Sequence, residues 1–141
     1  MTDARLLADD ARRLLDELDR DVPGAAVSSG ECRPALDIIE TADAAEVIVD
    51  VPGIPAAAIR VAIRHDTVLV VGAKLNQPSS GDARFHLAER NYGRFARAVR
   101  VAGAFDASRT KAVLSNGLLR VVLPRIDDRR GRLVHIDVET A

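Results

Sequence analysis

The stretch that decides the fold reads Ala112-Val113-Leu114-Ser115-Asn116-Gly117-Leu118-Leu119-Arg120-Val121-Val122-Leu123-Pro124. An Asn-Gly pair between two alternating apolar runs is the strongest short-range signal for a β-hairpin, because a type I′ turn needs positive φ at both central positions. Asn tolerates that conformation and glycine adopts it freely. The pattern therefore predicts paired antiparallel strands at Lys111–Ser115 and Leu118–Leu123. Pro124 has no N–H to donate, so the second strand should end there.

Six further short apolar runs lie on the N-terminal side of this hairpin, with turn signals at short spacing. They predict strands, in chain order, at Leu36–Glu40, Glu46–Val51, Ile59–Ile63, Thr67–Val71, Phe85–Leu87 and Gly93–Val101. The run Thr67–Val71 is apolar on both faces, which is typical of a central strand. Because no helix interrupts this series, residues 35–124 are predicted to form an all-β, immunoglobulin-like antiparallel β-sandwich.

The composition fits one domain with an extension at each end. Of the 141 residues, 48% are hydrophobic and only 3% are aromatic, so the core should be aliphatic. The net charge of −1 argues against nucleic-acid binding driven by bulk charge. The single cysteine, Cys32, excludes an internal disulfide framework. The chain shows neither a secretory leader nor an apolar run of membrane-spanning length, which predicts a cytoplasmic protein.

The N-terminal arm, residues 1–34, is predicted to hold an amphipathic helix at about residues 3–20, followed by a linker. Its apolar stripe contains Leu7, Leu14 and Leu18, and acidic and basic residues fill the other face. An isolated helix of this length is marginal, so the stripe needs a partner. That partner is the chain's own domain, a second subunit or a non-native client protein.

The C-terminal extension, residues 125–141, begins with a charged segment and then alternates apolar and polar residues. The alternating segment Leu133–Val138 predicts an extended tail whose apolar side docks in a groove. Val134 with Ile136 is the better candidate pair, and Ile136 with Val138 also fits, so the register stays open. The predicted docking residues are Val134, Ile136 and Val138.

The sequence lacks the patterns of catalytic and metal-binding sites. Its three histidines, His65, His86 and His135, make no metal-ligand spacing with one another or with Cys32. No nucleophile, redox or phosphate-binding motif is present. We therefore predict no enzyme activity, no catalytic residues, no metal and no cofactor. Cys32 is predicted to be a neutral bystander, with oxidation as the alternative.

A run of arginines interleaved with two aromatic residues has two interpretations. It consists of Arg84, Arg90, Arg94, Arg97 and Arg100, with Tyr92 and Phe95 among them. Nucleic-acid binding is one interpretation, and a solvated strand face paired with carboxylates is the other and is preferred. Arg97 shares its strand face with Phe95 and Val99, so its guanidinium is expected to be partly buried and to need a partner.

Four ordered segments carry a resemblance to a known family, the small heat-shock proteins of the Hsp20 or α-crystallin type. They are the opening strand Leu36–Thr41, the D-x-P-G pattern in Asp50–Ile54, the E-R-x-Y-G-x-F-x-R pattern in Glu89–Arg97, and A-x-x-x-N-G-x-L in the hairpin. The resemblance spans residues 35–124 and implies an α-crystallin domain. The arm departs from the family because it lacks a phenylalanine-rich composition.

The resemblance also implies a mode of assembly. Bacterial members exchange a loop strand between two subunits, which here places Arg84–Ala88 on Leu36–Glu40 of the partner. The implied dimer interface contains Leu36, Ile38, Phe85, Leu87 and Arg97. Val134-His135-Ile136 resembles the family's I-x-I/V tail motif, which enters a groove expected here to be lined by Ile59, Val61, Ile63, Val113 and Leu114.

The function implied by the resemblance is that of an ATP-independent holdase chaperone that binds unfolding proteins and prevents their aggregation. Its partners would be unfolded clients and further copies of itself, without nucleic acid or a membrane span. The candidate client-binding residues are Leu7, Leu14 and Leu18. Two alternatives stay open. A co-chaperone of the p23 or CS-domain type would be monomeric without anti-aggregation activity, and a scaffold protein would bind one native partner stoichiometrically.

Overall fold

The structure is a computed structural model that describes residues 3–22, 32–75, 82–126 and 133–141. Helix α1 covers Asp3–Asp21, which agrees with the predicted helix, and all the strands follow it. The strands are β1 (Leu36–Glu40), β2 (Ala44–Asp50), β3 (Ile59–Arg64), β4 (Thr67–Lys74), β5 (Gly93–Arg100), β6 (Lys111–Ser115), β7 (Leu118–Pro124), β8 (Val134–Ile136) and β9 (Val138–Thr140).

The described strands form two sheets that pack face to face. One sheet has the order β1-β2-β7-β6-β9 and the other has the order β5-β4-β3-β8. All neighbouring strands are antiparallel except β6 and β9, which run parallel. The predicted all-β sandwich with one N-terminal helix is therefore confirmed, and Thr67–Val71 lies on an inner strand of its sheet as its two apolar faces indicate.

The core between the sheets is aliphatic, as the composition predicts. Along β2, buried and half-buried residues alternate, so that Val47 and Val49 point into the core. Alternation on β7 places Leu119 and Val121 inward opposite them. Full burial of such side chains contributes roughly 1.5–3 kcal/mol each before the cost of ordering the chain. This alternation fixes which face of every strand is left for other contacts.

One predicted strand, Phe85–Leu87, is not found. These residues lie in irregular chain, and both apolar side chains are solvent-exposed. A strand needs a neighbouring strand to bond its backbone N–H and C=O groups. Within the described residues of one subunit, no strand is paired with this segment. The alternating sequence pattern reports which residues can form a strand, but it does not supply the partner.

The predicted hairpin turn packs against a second turn. Asn116 and Gly117 have φ values of 53° and 78°, the positive values that a type I′ turn requires. The N–H of Val51 donates to the carbonyl oxygen of Gly117 at 2.8 Å. A Cβ atom added to Gly117 would lie 3.3 Å from Cα of Pro52. The Asn-Gly turn is therefore held against the Pro52–Gly53 turn at one end of the sandwich.

Gly117→Ala is expected to lower the free energy of unfolding by about 1–2 kcal/mol, because an L-residue is strained at positive φ. The crowded approach to Pro52 adds to this cost. Urea denaturation monitored by circular dichroism measures the change. The matched control is Asn116→Gly, which keeps the positive φ accessible and should alter stability by no more than about 0.5 kcal/mol. Equal stability of the Gly117 variant and the unmodified chain would contradict this account.

Candidate assembly and client-binding surfaces

The C-terminal tail closes one edge of the sandwich by pairing with both sheets. Strand β8 pairs antiparallel with β3, so that Ile136 lies opposite Val61 and Val134 lies opposite Ile63. After Asp137 the chain crosses to the other sheet, where β9 pairs parallel with β6. The tail thus fills the groove between β3 and β6 of its own chain.

The three predicted docking residues of the tail all contact the core. Ile136 is only 8% exposed, while Val134 and Val138 are half-buried and pack against the core cluster. They are two residues apart, so they point to the same side of the extended chain. The two candidate registers are therefore used together, since Val134 and Ile136 pair with residues of β3 and Val138 pairs with a residue of β6.

The predicted groove residues divide between two faces. Ile59, Val61, Ile63 and Leu114 are buried in the core beside the tail. Val113 points to the opposite face of β6, where it lies across from Glu139. The inward position belongs to Ala112, which lies opposite Val138 and which the sequence interpretation missed.

The register of the hairpin is sufficient to predict that Ala112 points into the core. A two-residue turn fixes the pairing of Leu114 with Leu119 and of Ala112 with Val121. Since Leu119 and Val121 point into the core, their cross-strand neighbours must do so as well. Val113, between them, has to face outward.

Two of the predicted dimer-interface residues, Leu36 and Ile38, lie on β1. Leu36 is half-buried against the core, whereas Ile38 remains 40% exposed on the same face. Within the described ranges, β1 pairs with β2 on one side and with no strand on the other. Phe85 and Leu87 are 55% and 75% exposed, and the structure does not bring them onto this edge. One subunit thus presents an apolar strand edge and an exposed apolar segment.

Arg97 joins the two sheets at this same edge. It lies on β5 opposite Val70, it is half-buried, and its Nη1 donates to the carbonyl oxygen of Pro34 at 2.6 Å. The expected partner of this guanidinium is therefore a backbone carbonyl just before β1. A charged donor on a neutral acceptor satisfies one N–H and holds the start of β1 in place.

Most other arginines of the interleaved run also contact groups of the same chain. Arg90 lies over the Tyr92 ring at 5.3 Å from its centroid. Arg94 pairs with Asp19 at 3.1 Å, and Arg100 pairs with Asp66 at 2.9 Å. These contacts fit a strand face paired with carboxylates, the preferred interpretation of the run.

Helix α1 packs on the outer face of the sheet formed by β5, β4 and β3. Leu14 and Leu18 are fully buried in a second apolar cluster with Ala62, Leu69 and Val71. Leu7 is half-buried nearer the start of the helix. The apolar stripe therefore covers the chain's own domain in this conformation, and two of the three candidate client-binding residues are buried between the helix and the sheet.

Ion pairs border this apolar contact. Asp10 is 1% exposed and accepts hydrogen bonds from Arg64 Nε at 2.8 Å and Nη2 at 3.2 Å. These bonds raise the pKa of the Arg64 guanidinium above its ordinary value. Arg60 contacts Asp21 at 3.1 Å and Glu17 at 3.7 Å. The buried pair is the stronger constraint, because a buried carboxylate without its cation is costly.

Among residues 3–22, 32–75, 82–126 and 133–141, no group of three or more His, Cys, Asp or Glu side chains is placed to hold a metal ion. No described helix has both the length and the apolar character needed to cross a bilayer. Cys32 is half-buried and packs against the core cluster.

Comparison with known proteins gives a consistent result. Residues 37–138 match the Hsp20/alpha crystallin family. Over 102 residues the chain is 32% identical to Heat shock protein 16 of Schizosaccharomyces pombe, which covers 70% of each protein. The family match covers nearly all of the sandwich and extends through β8 to Val138, the first residue of β9.

Solved structures share this fold. The structure of Heat shock protein 16.0 from S. pombe has a TM-score of 0.66 at 29% identity, covering 72% of this chain and 94% of that one. A small heat-shock protein from Xylella fastidiosa has a TM-score of 0.61 at 29% identity, covering 72% of this chain and 93% of that one.

Proposed function

This chain belongs to the Hsp20/alpha crystallin family, and on that premise we propose that it is an ATP-independent holdase chaperone. It binds proteins as they unfold and keeps them from aggregating. Such binding acts by mass action on the unfolded client, so it needs apolar surface but neither turnover nor a cofactor. The protein is accordingly not an enzyme, and its place of action is the cytoplasm.

The observation that carries this proposal is that two segments outside the central strands cover apolar parts of the sandwich. The tail lies over the groove between β3 and β6, and α1 lies over Leu69 and Val71. Each segment lies outside strands β1–β7, so it can leave its site while those strands stay paired. Departure exposes apolar side chains both on the segment and on the sheet, and an unfolding client fits such adaptable surface.

The organisation proposed for the chain has three parts. They are an arm at residues 1–34, the α-crystallin domain at residues 35–124, and an extension at residues 125–141. The client-binding candidates in the arm are Leu7, Leu14 and Leu18, which act when α1 is undocked.

We further propose that two subunits form a dimer by exchange of a loop strand. Residues Arg84–Ala88 of one subunit pair with the open edge of β1 in its partner, where Phe85 and Leu87 meet Leu36 and Ile38. The exposure of Ile38, Phe85 and Leu87 in one subunit supports this arrangement. Arg97 supports the same edge through its bond to Pro34. Dimers then join through tails that enter the groove of another subunit.

The chaperone function is tested by heating an aggregation-prone client and measuring light scattering at increasing ratios of this protein. Scattering should fall as the ratio rises, to the same extent with and without ATP. Leu14→Ser combined with Leu18→Ser should reduce the protection at least about threefold, since it removes the apolar stripe. Ala4→Ser combined with Ala8→Ser changes exposed positions of the same helix and is the matched control.

Each result of this assay has a distinct meaning. Unreduced scattering with the unmodified protein contradicts the chaperone function. Full protection by the Leu14 and Leu18 variant assigns client binding to surfaces other than the arm. Greater protection by that variant assigns it to the sheet face that α1 covers.

A further inference from the structure

The outer face of the sheet under α1 has a defined chemical pattern. Strand register places Leu69 between Ala62 on β3 and Ala98 on β5, and it places Val71 between Arg60 and Ala96. The centre of this face is therefore apolar and made of small or aliphatic side chains. Its borders carry arginines, namely Arg60 and Arg64 on β3 and Arg94 and Arg100 on β5.

Helix α1 carries the complementary pattern. At about 100° per residue, Asp10, Glu17 and Asp21 fall within an arc of about 40° along one border of the helix. Asp19 falls on the opposite border, and the leucine stripe runs between the two. An apolar stripe with carboxylates on both sides thus meets an apolar strip with guanidinium groups on both sides.

The contacts follow this match on both borders. On the β3 side, Arg64 forms an ion pair with Asp10, and Arg60 forms ion pairs with Glu17 and Asp21. On the β5 side, Arg94 Nη1 lies 3.1 Å from Asp19 Oδ2 and forms an ion pair with it. Because Asp10 is almost completely buried, a helix with a neutral or basic side chain at that position would leave Arg64 without its carboxylate. The face therefore selects a helix by charge position as well as by hydrophobicity.

We propose that this outer face is a helix-binding site, defined by Leu69, Val71, Arg60, Arg64 and Arg94, and that α1 of a second copy of this chain occupies it in the assembled protein. An identical chain supplies every carboxylate and leucine at the required spacing. Nine residues separate Val22 from Cys32, and a connection of that length can span up to about 35 Å, so it does not by itself confine α1 to its own domain. Exchange keeps every contact and changes only the chain that makes it.

Charge reversal distinguishes exchange from binding within one chain. Asp10→Lys alone places a lysine against Arg64, and Arg64→Glu alone places a glutamate against Asp10, so neither full-length variant can seat its own helix well. In an equimolar mixture, the helix of each variant matches the sheet of the other. The double variant carrying both changes restores the match within one chain and is the control.

Helix docking is read from hydrogen exchange of the amides of α1, measured by mass spectrometry on the full-length proteins. Each single variant should lose protection in α1 by about tenfold or more, while the amides of β6 and β7 keep theirs. Mixing the two variants should return the α1 amides to within about twofold of the unmodified protein. Isotope labelling of one variant lets native mass spectrometry confirm mixed assemblies.

Recovery in the double variant without recovery in the mixture overturns the proposal, since it assigns the face to the chain's own helix. Co-assembly alone does not support it, because the proposed loop exchange also joins subunits. If the strands of a single variant lose protection, the same design is applied to Asp19→Lys and Arg94→Glu, whose side chains are partly exposed. Failure of both mixtures to recover also overturns the proposal.

Discussion

Replacing Val134 and Ile136 together by alanine should reduce the native mass of the assembly to that of a dimer and leave the sandwich folded. These side chains supply the apolar contact of β8 with β3, and Ile136 is almost fully buried. Their truncation removes on the order of 3 kcal/mol from one tail contact. A closed assembly uses several such contacts at once, so the loss multiplies through avidity. Light scattering after size-exclusion chromatography measures the mass.

The matched control for the tail variant is His135→Ala. It lies on the same strand, but its side chain is exposed on the other face. This control should keep the mass of the unmodified protein. If the Val134 and Ile136 variant also keeps that mass, adding Val138→Ala tests the contact with β6. A triple variant of unchanged mass shows that the tail only closes the groove of its own subunit.

Removing Arg84–Ala88 is expected to convert the dimer into monomers. The deleted segment contains the strand proposed to pair with the open edge of β1, together with the exposed side chains of Phe85 and Leu87. Sedimentation velocity at low micromolar concentration distinguishes the two species. A deletion variant that remains dimeric at that concentration would rule out the exchange of this loop.

A point-substitution pair makes the same test without shortening the chain. Phe85→Ser with Leu87→Ser removes the two apolar side chains proposed to face Leu36 and Ile38, and it should weaken the dimer roughly a hundredfold or more. His86→Ser changes the intervening position, which points to the other side of an extended strand, and should leave the dimer unchanged. Equal weakening by both changes would argue for a general effect on the loop.

Local sequence patterns were sufficient for the sandwich. The Asn-Gly turn specified the hairpin and its register, and alternation located seven of the strands to within a few residues. Tail residues were also identified because a period of two is unusual at the end of a charged segment. These features depend on interactions between residues close in sequence, or on the simple division between core and solvent.

The binding face for α1 could not be predicted in this way. Its contacts join residues far apart in sequence, as in the pairing of Asp10 with Arg64. Alternation over Ile59–Ile63 indicated a strand, and nothing in that pattern distinguishes arginines that meet water from arginines that meet a helix. The strand predicted at Phe85–Leu87 is absent from the single subunit for a related reason, since its proposed partner belongs to another molecule.

The tail strands have a consequence for the newly made polypeptide. Strands β8 and β9 are synthesised after every other strand of the sandwich, and until then β3 and β6 are unprotected edges of their sheets. Unpaired edges are sites where one chain can bond to another and form aggregates. While β8 and β9 are still missing from the growing chain, the sandwich is therefore more adhesive than it is after they have docked. Docking of β8 and β9 removes that hazard because the two strands occupy both edges.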